Sequence, residues 1–329
     1  MSTNTNEDGQ GVVYRKMRGH YTVRANGRDI DCVLSSLLRK QLIYPIADPT
    51  SLRHRVQEVR EVEHIDPIAI GDRVRFIDAG DGTAMINEVL PRWSMLSRPA
   101  PVPGKRVFEQ VIVSNVDQVA PVFAATSPTP KWGLLDRYLV SAEASELPTL
   151  IVITKFDLAD KNRQLEADLE IYRSIGYTVC MVSSVTGQGL EELKALLAGR
   201  TSVLIGKSGV GKTSLLNAIQ PGLGLRVREV GRGEVGKGRH TTTHLEMFEL
   251  DIGGALVDTP GMREFGLWGV SGEDLALYFP EMAGYVGQCK FGLSCRHDGE
   301  PGCAIRQAVM TEKISPYRYK SYLNLRGEL

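Results

Sequence analysis

The sequence predicts an α/β protein: a small all-β unit, then an open and mostly parallel sheet, then a short metal-binding segment with a helical tail. Three observations carry this. A G-x-x-x-x-G-K-T run at 206–213 lies between an apolar strand and a helical pattern. From Val107 onward, apolar runs of strand length alternate with helical stretches, as in a parallel sheet with crossover helices. Cys289, Cys295, His297 and Cys303 bring three thiols and one imidazole together within a short stretch.

The 329 residues suffice for two or three domains, and 42% hydrophobic with 24% charged residues is ordinary globular composition. Lys+Arg and Asp+Glu are both 39, so any nucleic-acid surface has to come from local clustering. No apolar run is long enough to span a membrane. Residues 1–10 are polar, without a signal-peptide core, and are expected to be a disordered tail. Five cysteines, an odd number, with no export signal argue for a reducing, cytoplasmic setting.

Residues 11–98 hold five short alternating runs with Gly-rich turns between them, which predicts a five-stranded barrel of the oligonucleotide-binding (OB) type. Arg15, Lys16, Arg18, Arg39, Lys40, Arg53, His54 and Arg55 cluster there with Tyr14, Tyr21 and Tyr44. These can contact and stack on RNA, or the charges can form a solvated face. Pro99, Pro101 and Pro103 mark a stiff linker over 99–106. Residues 107–280 form the open-sheet domain, with Cys180 a buried apolar residue in one of its strands. Cys32 is the same in the barrel, and 281–329 are the metal-binding subdomain and C-terminal helix.

In the loop Gly206-Lys207-Ser208-Gly209-Val210-Gly211-Lys212-Thr213-Ser214, the glycines let the backbone curl so that N–H groups point at phosphate oxygens. The helix N-terminus adds partial positive charge. Lys212 can reach the β and γ phosphates, and the Thr213 hydroxyl can ligate Mg²⁺.

Three further loops leave strands at the same predicted edge, where open sheets bind ligands. Asp258-Thr259-Pro260-Gly261 offers Asp258 to Mg²⁺ through water and the Gly261 N–H to a γ-phosphate. Thr154-Lys155-Phe156-Asp157 offers Asp157 to the N1–H and 2-amino group of guanine, with the Lys155 stem along the base. Asp157 can instead cap a helix. The Ser183-Ser184 backbone would face the guanine carbonyl.

Together these loops resemble the GTPase signature motifs in an unusual order, with the base-reading pair ahead of the phosphate loop. This is a circular permutation, which close, exposed termini permit. With the barrel in front and the Cys/His set behind, the chain from about residue 11 resembles the bacterial ribosome small-subunit-dependent GTPase A family. The resemblance implies a barrel, a permuted P-loop GTPase and a zinc subdomain. It also implies GTP hydrolysis to GDP with Mg²⁺, stimulated by the small (30S) ribosomal subunit through its rRNA, late in that subunit's maturation; a monomer is expected. Thr154 stands where the family usually has Asn, which puts guanine affinity in question, and Ser184 where it usually has Ala.

Residues 222–244 are rich in glycine and basic side chains and read as a loop ending in Gly238-Arg239-His240-Thr241-Thr242-Thr243, which matches the family's first switch. Thr242 is the candidate to close on Mg²⁺. Met262 stands where many GTPases carry a water-positioning Gln. With Lys212, His240 is therefore the candidate catalytic residue, orienting water as neutral imidazole; contact with rRNA or solvent is the alternative. The Cys₃His set reads as one structural Zn²⁺ whose binding supplies much of the subdomain's folding free energy, or else as free thiols. The tail interleaves Lys313, Arg318, Lys320 and Arg326 with Tyr317, Tyr319 and Tyr322, suited to rRNA contact or to packing on the GTPase domain. Loss of the γ-phosphate is expected to shift the zinc subdomain against the barrel. A P-loop ATPase or kinase, and a non-catalytic nucleotide-gated binding module, are the other readings the residues allow.

Overall fold

The computed structural model describes residues 8–17, 19–39, 66–100, 107–159, 163–225, 245–259 and 266–329. The chain opens with β1 (Asp8–Met17), β2 (His20–Ala25), β3 (Arg28–Leu34), a short helix α1 (Ser36–Arg39), β4 (Arg73–Asp78) and β5 (Thr83–Val89). The strands pair in the order β1-β2-β3-β5-β4, and β4 returns to β1, so the barrel closes. β3 and β5 run parallel and the other neighbours antiparallel.

Closure is made by β1 changing partner along its length: 8–12 pair with β4 and 12–17 with β2, with an irregular register between Val13 and Arg15. Gly11 lies beside this change-over. A Cβ there would stand 2.6 Å from the Arg24 carbonyl, so glycine lets the strands approach. Asp8, Gly9 and Gln10 thus belong to β1, where a tail was expected; two glycines masked the strand pattern. Residues 1–7 lie outside the described residues.

Alternation turns Val13, Tyr21, Val23, Cys32, Leu34, Val74, Phe76 and Ile86 into the barrel core. Tyr21 is only 3% exposed and its hydroxyl donates to Asp66 at 3.3 Å, so it cannot stack on a base. Two members of the basic cluster, Arg15 and Lys16, are engaged internally. Lys16 donates to the Ile68 carbonyl at 3.0 Å, Arg15 pairs with Glu246, and the Tyr14 hydroxyl donates to Glu249 at 2.6 Å beneath Arg24. Arg18, Lys40, Tyr44, Arg53, His54 and Arg55 lie outside the described residues.

β6 (Met95–Ala100) and β7 (Phe108–Ser114) form a two-stranded antiparallel ribbon. Pro99 and Ala100, expected in the linker, pair with Glu109 and Phe108. A two-stranded ribbon leaves edge N–H positions unused, and proline fits there. Residues 101–106 lie outside the described residues. Buried Asp72 fastens barrel to ribbon: its carboxylate accepts from Arg92 Nε and Nη2 at 2.7 Å, Ser114 Oγ at 2.6 Å and the Ala69 N–H at 2.7 Å.

The second unit runs β8 (Gln118–Ala124), α2 (Trp132–Ala144), β9 (Leu150–Thr154), α3 (Arg163–Ile175), β10 (Thr178–Met181), α4 (Leu190–Leu197), β11 (Arg200–Ile205), α5 (Lys212–Ile219), β12 (Glu246–Glu249) and β13 (Gly254–Asp258). The sheet order is β10-β9-β8-β11-β13-β12, parallel except for β12. Leu135, Tyr138, Leu139 of α2 and Leu165, Leu169, Tyr172 of α3 cover one face; α4 and α5 cover the other. This is a doubly wound sheet, whose ligand edge lies at the strand carboxyl ends. β12 was not anticipated, being four residues with a glutamate at each end. Its far edge bridges to β1 at Arg15 and Glu246, so barrel and open sheet are continuous.

The last unit holds α6 (Pro280–Ala283), α7 (Ala304–Met310) and α8 (Pro316–Arg326). Leu275, Phe279, Met282, Ile305, Ile314, Tyr322 and Leu325 pack with the three cysteines and with Val140 of α2. The apolar core is therefore larger than the short cysteine segment suggested, because α8 and the stretch before α6 contribute to it. Arg318 is wholly buried, donating to Asp136 on α2 and, at 2.6 Å, to Glu281 on α6. Arg326 donates to the Arg296 carbonyl. Through Arg318 and Asp136 the tail helix is fastened to α2 of the open-sheet unit, while Lys313, Tyr317 and Lys320 are exposed. Among the described residues no helix is long and apolar enough to cross a membrane.

Candidate functional site

Parallel pairing of β10, β9, β8, β11 and β13 fixes where their ends emerge. Ala124 lies opposite Thr154, Ile153 opposite Met181, Ile205 opposite Pro121 and Leu204 opposite Asp258. The loops at 154–157, 183–184, 206–213 and 258–259 therefore leave the sheet along one edge.

In the phosphate loop Gly209 and Gly211 have φ of +84° and +101°, conformations that favour glycine. Gly206 is needed for a different reason. A Cβ there would stand 2.4 Å from the Val122 carbonyl, so the loop lies directly against β8. Lys212 is buried, and its ammonium donates to the Gly206 carbonyl at 2.6 Å and the Lys207 carbonyl at 3.3 Å. Burial lowers its pKa and the nearby Asp258 carboxylate opposes that. Helix α5 starts at Lys212 behind Gly211, with no side chain capping it. Its first N–H groups, at Lys212, Thr213 and Ser214, form the anion-binding end expected of this motif.

Asp258 ends β13 at 5% exposure, and its Oδ1 finds no hydrogen-bond partner among the described residues. Burial raises its pKa while Lys212 opposes the rise. A buried carboxylate oxygen without a donor complements a hydrated cation, so Asp258 fits Mg²⁺. Thr259, which the sequence reading did not single out, is fully buried and donates to the Leu204 carbonyl at 2.7 Å. It locks the turn after Asp258 onto the strand before the phosphate loop. Nothing in the D-x-x-G pattern marks that position.

The base loop is braced against the phosphate loop. The Thr154 hydroxyl, 1% exposed, donates to the Val210 carbonyl and lies 3.2 Å from the Phe123 carbonyl. Lys155, at φ +55°, donates from Nζ to the Gly209 carbonyl at 2.8 Å and to that of Ser127. The Phe156 N–H donates to the Val182 carbonyl at 3.2 Å, joining this loop to the end of β10. Asp157 is exposed within a single 3₁₀ turn, Phe156–Leu158, whose N-cap is Lys155, so Asp157 does not cap it. Buried Ser183 accepts the Val185 and Thr186 N–H groups at 3.2 and 3.0 Å, holding the turn that carries half-buried Ser184. His240, Thr242, Gly261 and Met262 lie outside the described residues.

A second site lies in the C-terminal unit. The ligand atoms of Cys289, Cys295, His297 and Cys303 all fall within 4.8 Å of one another, and all four residues are buried. His297 Nδ1 is 3.5 Å from both Cys289 Sγ and Cys303 Sγ, and those sulfurs are 3.9 Å apart. A zinc tetrahedron with Zn–S about 2.3 Å and Zn–N about 2.0 Å has edges of ~3.8 Å and ~3.5 Å. Without a cation such crowding is unfavourable: burial, then neighbouring sulfurs, pushes the Cys295 thiol up to about 12. Backbone N–H groups of Ala304 and Arg306 reach Cys289 Sγ and Cys303 Sγ at 3.2 and 3.5 Å, as suits thiolates. The set fits one tetrahedral Zn²⁺.

Residues 89–268 match the RsgA GTPase family. A "Small ribosomal subunit biogenesis GTPase RsgA" of Moorella thermoacetica is 40% identical over 321 residues, 97% of each chain. One from Gemmatimonas aurantiaca is 46% identical over 266 residues, covering 80% of this chain and 84% of the relative. The crystal structure of YjeQ from Thermotoga maritima matches with a TM-score of 0.72 at 33% identity, over 98% of this chain and 99% of that one. YloQ, described as a circularly permuted GTPase, matches with a TM-score of 0.67 at 29% identity, over 100% and 97%.

Proposed function

The chain belongs to the RsgA GTPase family, and from that premise we propose that it hydrolyses GTP in small ribosomal subunit maturation, stimulated by the 30S subunit through rRNA contact. The observation that supports nucleotide binding most directly is the bracing of Thr154 and Lys155 on the carbonyls of Val210 and Gly209, which holds the base loop against the phosphate loop. In this reading residues 206–214 hold the phosphates, with Lys212 leaving its loop carbonyls for the β and γ oxygens. Asp157 reads the guanine edge, and the 183–184 backbone faces its carbonyl. Thr213, Asp258 and Thr242 hold Mg²⁺, which screens phosphate charge. Gly261 contacts the γ-phosphate, and His240 orients the attacking water. Cys289, Cys295, His297 and Cys303 hold one structural Zn²⁺. A cytoplasmic monomer, with a barrel that begins at Asp8, a GTPase domain reaching to about 280 and a zinc subdomain beyond, fits this role.

The test is turnover of GTP and of ATP with and without purified small subunits. Slow GTP hydrolysis accelerated by subunits is expected, with ATP inert; equal rates with and without subunits would reject the stimulated reading. Asp157→Asn should move preference toward xanthine nucleotides. His240→Ala should abolish stimulation, and an unchanged stimulated rate would remove His240 from the mechanism.

A further inference from the structure

Strands β1, β12 and β13 bring three charged side chains into one row. Arg15 lies directly opposite Glu246, and Glu246 directly opposite Asp258. Side chains opposite each other on neighbouring strands share a face, with Cβ atoms ~4.5–5.5 Å apart. Arg15 Nε donates to the Glu246 carboxylate at 2.9 Å, and a second guanidinium N–H reaches the same oxygen. The Glu246 side chain is 20% exposed and that of Arg15 48%, while Asp258 is buried. Two carboxylates directly opposite repel, and the row is tolerable because its outer member is a cation. That cation comes from the barrel, whereas Asp258 stands beside the phosphate loop.

We propose that Arg15 is a positioning residue of the nucleotide site: by neutralising Glu246 it keeps the carboxylate next to Asp258 from repelling phosphates bound over Lys212. This rests on the nucleotide reading above. Once Arg15 is removed, Glu246 becomes an uncompensated negative charge close to the phosphate-binding edge. Metal-free GDP carries more negative charge than its magnesium complex, so it loses more affinity.

The experiment measures binding of a fluorescent GDP analogue to the full chain in EDTA and in excess magnesium. Arg15→Ala should weaken binding about fivefold in EDTA and less than about twofold in magnesium, a size set by a solvent-screened charge at one or two strand spacings. A loosened barrel would weaken both alike. Arg15→Lys should restore the wild-type ratio of the two affinities. Glu246→Gln should make Arg15→Ala silent. An unchanged ratio in a GDP-binding Arg15→Ala chain, or an effect that persists with Glu246→Gln, overturns the inference alone. Failure of the wild type to bind GDP overturns both it and the nucleotide reading.

Discussion

Lys155 is tied to Gly209 by a hydrogen bond of 2.8 Å from its ammonium to the glycine carbonyl. It extends from the base loop to a glycine whose φ of +84° turns that carbonyl toward it. The neighbouring Thr154 hydroxyl repeats the link at Val210. Base loop and phosphate loop are thus braced on each other by side chains from one and backbone from the other.

The Thr154 link predicts a measurable loss. Thr154→Val keeps the shape but strands a buried carbonyl, at about 1–2 kcal/mol. Because that carbonyl belongs to the phosphate loop, GDP affinity should fall roughly tenfold by calorimetry. Affinity unchanged in a well-folded variant would show that Lys155 alone aligns the loops.

Much of this was legible because it depends on local chemistry. Strands buried on both faces read as continuous apolar runs such as 150–153, and the residues that follow them inherit one edge of the sheet. The four residues of the candidate zinc set could be picked out by residue type alone. What escaped depends on partners distant in sequence. Four-residue β12 is a strand because β13 and β1 flank it, and its own residues show too little alternation to announce that. Tyr21 looked available for stacking until the barrel's closure turned it inward. For Arg318 rRNA contact and packing stood equal in the sequence, because the acidic partners that decide for packing lie 182 and 37 residues away.

Metal analysis should find one zinc per chain. Cys303→Ser should bring it to none and lower the melting temperature. The fold should persist in part, since Phe279, Tyr322 and Leu325 keep an apolar core around the site. GDP affinity should stay within about twofold, because sites without shared partners behave additively. Full zinc content in Cys303→Ser would reject the ligand set.

Alkaline pH should destabilise the fold through two other thiols. Cys32 and Cys180 are fully buried, and burial pushes each up to about 12 from an ordinary value near 9. The folded state therefore keeps protons that the unfolded chain releases. Their contribution is complete below pH 9 and is lost as pH rises toward 12, at about 1.4 kcal/mol per pH unit for each thiol. Urea unfolding at increasing pH should show a shallower alkaline limb in Cys32→Ala and Cys180→Ala, whatever packing each substitution removes. Parallel limbs in wild type and variants would mean that these thiols do not set the slope.

The buried Arg318 gives the sharpest stability test, because its two carboxylate partners come from different elements. Asp136 on α2 and Glu281 on α6 both bind its guanidinium, Phe279 lies 4.5 Å beneath, and the side chain is fully excluded from water. Those two anions hold the guanidinium charged despite burial. Arg318→Met removes the cation but leaves the anions, one of them wholly buried, and should cost about 3–5 kcal/mol in urea unfolding. Replacing the whole set, as Arg318→Met with Asp136→Leu and Glu281→Met, removes the stranded charges and should recover most of that loss. If the single variant costs under about 1 kcal/mol, water reaches the cluster and α8 is not fastened through it. If the triple variant is no better than the single one, the geometry of the hydrogen bonds, beyond charge balance, is what seats the C-terminal helix on the GTPase domain.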